Sequence, residues 1–228
     1  MFWEDTTIET KLLNSQQSDL LNKPLITIID YQASNLRSVQ KAIEANGAKA
    51  IISDKAEVIS KSDAIVFPGQ GAIDPAMKKL SEKKLIDIIK SYISNNKPFL
   101  GICLGLQLLF DSSDEGDEKC LGILEGKSKL FPSSVKTPHM GWNQVEINLP
   151  NPLFKDIPSN SFFYFVHSYY ALPKNDKIIA SKTEYGIEFC SSIITKNVMG
   201  VQFHPEKSGA NGLKIYSNFI NFIKNGKV

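Results

Sequence analysis

From Leu25 onward the chain alternates short apolar runs with amphipathic stretches. Leu25 to Asp30 predicts a buried strand. Between Asn35 and Gly47 the apolar positions Leu36, Val39, Ala42 and Ile43 recur three or four residues apart, which predicts a helix stopped by Gly47. Lys49 to Ile52, Asp63 to Phe67 and Pro98 to Ile102 predict further strands. Asp74 to Leu80, Glu82 to Ser94 and Leu104 to Asp111 predict helices. Strands separated by helices imply a parallel sheet with right-handed crossovers. The second half changes character. Trp142 to Ile147, Ser161 to Val166, Lys177 to Ser181, Ile187 to Ile194 and Val198 to His204 are strand-like with short polar turns between them, so added antiparallel strands are expected to make the sheet mixed. Gly209 to Ile223 predicts an amphipathic helix with Leu213, Tyr216, Phe219, Ile220 and Ile223 as its apolar stripe. The expected fold class is α/β: three layers, with a mixed, mostly parallel sheet and helices on both faces.

Residues 24–228 are expected to form one domain behind an N-terminal extension, residues 1–23. The extension carries Glu4, Asp5, Glu9 and Asp19 against Lys11 and Lys23, with no apolar core of a secretory signal, and reads as a flexible tail or a short outer helix. The acidic stretch Asp111 to Lys119 reads as solvated surface.

Composition narrows the classes of function. With 26 cationic and 24 anionic side chains the net charge is +2, which argues against nucleic acid or an anionic membrane as partner. Arg37 is the only arginine, which weakens a nucleic-acid reading further. Cys103, Cys120 and Cys190 form no disulfide framework and suit a reduced, cytoplasmic protein. No apolar run reaches the 18 or so residues of a membrane helix.

Against this plain background one segment stands out, Gly101-Ile102-Cys103-Leu104-Gly105, between a buried strand and a helix. A strand-turn-helix with small residues on both sides of a nucleophile is the nucleophile-elbow pattern. The tight turn exposes the sulfur, the helix N-terminus favours thiolate, and the backbone N–H of Leu104 is placed to stabilise an oxyanion. A buried free cysteine is the ordinary alternative, and the flanking glycines favour the nucleophile. Among His139, His167 and His204, the last is the best base. It ends an apolar strand in Val201-Gln202-Phe203-His204-Pro205-Glu206, and in extended backbone Glu206 projects to the same side and accepts its second ring N–H. The loop Pro68-Gly69-Gln70-Gly71 also follows a strand, and its backbone N–H groups suit the rest of an oxyanion hole.

In this order the three elements resemble the class I glutamine amidotransferase family, with a Cys-His-Glu triad, over about Leu25 to Lys224. The resemblance implies a flavodoxin-like fold and a reaction in which cysteine attacks the side-chain amide of glutamine, ammonia leaves, and water releases glutamate from a thioester. By position, Cys103 would be the nucleophile, His204 the general acid and base, and Glu206 its orienter. Leu104, Gln70 and Gly71 would form the oxyanion hole, and Gly69, Gln107, Ser168, Tyr169 and Tyr170 would bind glutamine. No metal or cofactor is implied.

Within the family, three segments are similar to the glutaminase subunits of imidazole glycerol phosphate synthases: Asp30-Tyr31 before Asn35-Leu36-Arg37-Ser38-Val39, Pro138 to Asn143, and Lys207-Ser208. Leu106, where anthranilate and carbamoyl-phosphate glutaminases commonly have His, points away from those. This likeness implies a heterodimer with a (βα)8-barrel cyclase subunit that uses the ammonia in histidine biosynthesis, with Met140, Trp142, Asn143 and Lys207 at the interface. It also implies a subunit idle on its own, gated at the Gly69–Gly71 loop. Two departures stand against it: Gln32-Ala33-Ser34 replaces a glycine-containing turn, and Gln70 replaces a Val. A glutaminase serving another acceptor, a silent partner-binding scaffold and a peptide-cleaving cysteine hydrolase remain as alternatives; Gln107 and the His167-Ser168-Tyr169-Tyr170 segment speak against the last.

Overall fold

The computed structural model describes residues 23–148 and 150–225, so the expected N-terminal extension, all but Lys23, lies outside the described residues. In chain order the strands are β1 (Leu25–Ile29), β2 (Lys49–Ser53), β3 (Ala64–Gly69), β4 (Phe99–Cys103), β5 (Ser112–Ser113), β6 (Gly126–Leu130), β7 (His139–Ile147), β8 (Ser161–His167), β9 (Tyr169–Pro173), β10 (Ile179–Glu184), β11 (Glu188–Thr195) and β12 (Val198–Val201). The helices are α1 (Leu36–Ala45), α2 (Ala56–Lys61), α3 (Ile73–Glu82), α4 (Ile86–Ser94), α5 (Leu104–Gln107) and α6 (Gly209–Lys224).

The strands form one mixed sheet in the order β2-β1-β3-β4-β12-β11-β10-β7-β8. From β2 to β12 every pairing is parallel. The change to antiparallel comes at the β12–β11 pair and continues to β8. β9 pairs with β11 and β6, and β5 with β6, off the main path. Because successive strand residues point to opposite faces, the parallel strands feed two apolar cores. Ile26, Ile28 and Val66 join one, with Val39 and Ile43 of α1 and Ile215 and Phe219 of α6. Ile29, Ile65 and Phe67 join the other, with Ile59 of α2, Leu80 of α3 and Ile89 of α4.

The structure departs from the pattern in several places. The helix after Cys103 stops at Gln107 instead of running to Asp111, because the following loop captures its carbonyls: Leu121 N–H bonds Leu108 O at 2.9 Å, Gly122 N–H bonds Phe110 O at 2.8 Å, and both Ile123 and Leu124 N–H bond Leu109 O at 2.9 Å. Helices α3 and α4 are parted by Lys84, whose φ of 57° turns the chain while Leu85 N–H closes on Leu80 O. β12 ends at Val201, and Pro205–Lys207 forms a 3-10 turn, so His204 and Glu206 are not on one extended strand. In α6 the buried face includes Ile215 and Phe222, while Leu213 is exposed; the apolar stripe is rotated from the expected one. α2, β5 and β6 have no counterpart in the expected pattern.

Candidate active site

The site begins where β4 stops. Cys103 has φ 54° and ψ −107°, a strained backbone for a residue with a Cβ. Strand and one-turn helix fold back so tightly that both flanking glycines are obligatory. A Cβ on Gly105 would lie 1.8 Å from the Phe67 carbonyl oxygen, and one on Gly101 would lie 2.5 Å from Gly105 O. A helix of one turn carries little macrodipole, so the thiolate argument from the helix N-terminus loses most of its force. Side chains take over that surrounding: Gln202 Nε2 donates towards Cys103 Sγ at 3.6 Å.

The 3-10 turn after Phe203 places the carboxylate that an extended strand was expected to place. His204 Nδ1 and Glu206 Oε1 are 2.9 Å apart, and both side chains are 2% exposed. Asn35 Nδ2 donates to Glu206 Oε1 at 2.7 Å, and Tyr216 OH donates to Oε2 at 3.4 Å. The carboxylate is thus anchored from α1's cap and from α6. His204 Nε2 is buried and without a hydrogen-bond partner; an orphaned polar atom of this kind asks for an explanation. Burial pushes the His204 imidazolium down, but the Cys103 charge and contact, then Glu206, outweigh it and lift the ring to about 10. Cys120 and Cys190, in contrast, are pushed up by burial to about 11 and about 12, so neither is a ready nucleophile.

A cavity of about 360 Å³ is lined by Gln70, Gly71, Cys103, Leu104, Gln107 and His204, and further by Ser168, Tyr169 and Lys207. Gly69 and Glu206 stand behind its wall. Glu115 also lines it and accepts the Ile73 N–H at 3.0 Å. That part of the acidic stretch is site wall and not only solvated surface, and burial pushes the Glu115 carboxyl up. Tyr170 does not line the cavity. It lies one residue along β9 from Tyr169 and packs in the core, its ring centroid 4.9 Å from that of Phe131; the period of two in a strand separates the neighbouring tyrosines.

Behind the cavity runs a hydrogen-bonded chain that the sequence did not disclose. Asn143 Nδ2 donates to Glu184 O at 2.9 Å and contacts His139 Nε2 at 3.3 Å. His139 Nδ1 meets His167 Nε2 at 3.0 Å, across the β7–β8 pair that sets the two opposite each other. His167 Nδ1 donates to Tyr169 O at 2.8 Å. These contacts assign one tautomer to each ring, protonated on Nδ1, and keep both neutral. Burial pushes His139 down to about 4; burial chiefly, with the charges of His139 and His204, pushes His167 down to about 3. Tyr169 O also accepts from Gln107 Nε2 at 2.7 Å, and the same nitrogen donates to Gln202 Oε1 at 3.2 Å. With both Nε2 protons engaged, Gln107 has its carbonyl oxygen to offer a ligand.

Of the four candidate interface residues, Met140 and Trp142 are exposed, at 63% and 56%. Phe162 of β8, not singled out by sequence, joins them at 52%. Trp142 packs edge-on to Tyr164, and Lys207 Nζ sits 5.7 Å over the Tyr164 ring. Asn143 belongs to the opposite face of β7, where its amide is used internally. Among the described residues, no group of His, Cys, Asp or Glu is arranged to hold a metal ion, and no helix is long and apolar enough to cross a membrane.

A cysteine at a strained strand end, a carboxylate-anchored histidine and a shared cavity are the parts that a cysteine-dependent hydrolytic or acyl-transfer site needs. The family model described as glutamine amidotransferase class-I matches residues 27–222, and the chain belongs to this family. It is 46% identical over 205 residues to the imidazole glycerol phosphate synthase subunit HisH of Dehalococcoides mccartyi strain CBDB1, covering 89% of this chain and 100% of that protein. It is 48% identical over 204 residues to the HisH subunit of Gloeothece citriformis, covering 88% and 97%. The PurLQS structure from Thermotoga maritima shares the fold, with a TM-score of 0.70 at 19% identity over 88% of this chain and 99% of that one.

Proposed function

We propose that the chain is the glutaminase subunit of imidazole glycerol phosphate synthase and works in histidine biosynthesis. In this reading the Cys103 sulfur, as thiolate, attacks the side-chain amide carbon of glutamine. The carbonyl oxygen becomes an oxyanion held by the backbone N–H of Leu104 and by N–H groups of the Gln70–Gly71 loop. His204, protonated on Nε2, gives that proton to the departing nitrogen, and ammonia leaves behind a thioester on Cys103. Water then attacks the thioester carbon, His204 takes its proton, glutamate is released and the free sulfur is regenerated. Glu206 holds the imidazole by Nδ1 throughout. Gln107, Ser168 and Tyr169 orient the glutamine, and Gly69 lets the loop approach. The observation that carries this reading is the buried, unpartnered His204 Nε2 in one cavity with Cys103.

The ammonia passes to a (βα)8-barrel cyclase subunit in a heterodimer, and the exposed Met140, Trp142 and Phe162 beside Lys207 are its docking face. The same reading carries a single domain over residues 24–228, helices on both faces of the sheet in three layers, and the cytoplasm as compartment, where three unpaired cysteines are at home. The test is Cys103→Ala in the complex. Synthesis from glutamine is expected to vanish and synthesis from added ammonia to persist; loss of both would refute the assigned role of Cys103.

A further inference from the structure

Tyr31 is 3% exposed, and its hydroxyl is buried without a hydrogen-bond partner. Leaving such a group unpaired is unfavourable, and nothing in the reaction described above uses it. The ring is fixed edge-on against Phe67, centroids 5.2 Å apart. The hydroxyl rests on Gly69, where an added Cβ would meet it at 2.6 Å. It does not line the cavity, whose wall on this loop is Gln70 and Gly71, so it reaches Gly69 from outside the cavity. Burial and then the Cys103 charge push this phenol up, while the Gln70 backbone amide works the other way. Gln70 follows Gly69 directly, so its N–H belongs to the peptide bond next to the position on which the hydroxyl rests. Ser34 Oγ donates to Gln70 Oε1 at 2.7 Å, which tethers the Gln70 side chain.

We infer that Tyr31 is a positioning residue for the Gly69–Gln70 peptide and acts on the oxyanion hole from behind. A phenol both donates and accepts. With the Gln70 N–H turned back, the hydroxyl is its acceptor. With that N–H turned into the cavity, the Gly69 carbonyl faces Tyr31 and the hydroxyl is its donor. One side chain thus serves both orientations of the peptide and supports the one that presents an oxyanion donor. This inference rests on the glutaminase reading above.

Tyr31→Phe removes only the oxygen and keeps the packing on Phe67. In the complex with its cyclase subunit, the variant is expected to lose about tenfold in glutamine-dependent kcat, the worth of one hydrogen bond, with the KM for glutamine within about twofold. Labelling of Cys103 by a glutamine-mimicking electrophile is expected to slow in parallel, ammonia-dependent synthesis to hold, and the thermal midpoint to hold or rise, since the unpaired hydroxyl is gone. The Gln70 amide resonance, followed by 15N NMR, is expected to shift in the variant. An unchanged kcat, a loss carried by KM, or a fall in the ammonia reaction would each overturn the role of Tyr31. Wild-type Cys103 that takes no label would overturn the underlying glutaminase reading instead, and the Tyr31 role with it.

Discussion

At Glu206 three neighbours converge on one carboxylate: His204, Asn35 and Tyr216. A residue held from three elements is a fixed post, and the ring it holds is basic because of charge as well as geometry. Glu206→Gln retains an oxygen for Nδ1 but removes the charge. The glutamine-dependent rate is expected to fall by about 10²-fold or more with the ammonia-dependent rate intact, as parallel steady-state assays would reveal. The paired histidines make a prediction of opposite character. His139 and His167 gain a proton in the unfolded chain below the ordinary value of 6.5, but in the folded protein only near about 4 and about 3. Between those limits the unfolded state binds more protons, so their contribution to stability is complete above pH 6.5 and is lost as pH falls toward about 3. Urea midpoints at pH 7.5 and pH 5 should show the decline, and His139→Gln should flatten it.

Among the elements, the elbow between β4 and α5 is the least forgiving. Gly105→Ala would put a methyl 1.8 Å from backbone oxygen, where no side-chain rotation relieves it. A destabilisation of about 3 kcal/mol or more is expected, measured as a thermal or urea shift, together with loss of glutamine hydrolysis. This element was legible because its chemistry is local: glycine, nucleophile and glycine lie within five residues. Helix α1 was legible for the same reason, its apolar positions spelling one face. α2 was missed because Ile59 is its only buried residue, and β6 because only Ser128 is buried along Gly126–Leu130; neither has an apolar signal to read. The contacts that complete the site were hidden by distance in the chain. Gln202 reaches Cys103 from 99 residues away, and Asn35 reaches Glu206 from 171. Spacing rules do not extend across a sheet. Cys103, His204 and Glu206, which the structure brings together, each lie in a local motif, whereas the strand geometry expected for His204 and Glu206 is replaced by a 3-10 turn that still sets them 2.9 Å apart.

Over the whole molecule, the cavity and the exposed aromatic face share Tyr164 and Lys207, so a partner seated on Met140, Trp142 and Phe162 would also close one rim of the site. Trp142→Ala is expected to weaken that partner by about tenfold or more, as a central aromatic anchor does. With the side chain 56% exposed, the thermal midpoint should hardly move. Titration calorimetry and a melting curve separate the two effects. The strand order has a further consequence, for synthesis on the ribosome. β12 follows eleven other strands in the chain yet lies inside the sheet, between β4 and β11, and His204 and Glu206 come just after it. A nascent chain that has not yet delivered Val198–Val201 has a gap at the centre of its sheet and Cys103 without His204. In the proposed reaction the thiol would therefore stay unarmed through most of translation, and a product truncated before that strand would be inert instead of an unregulated source of ammonia.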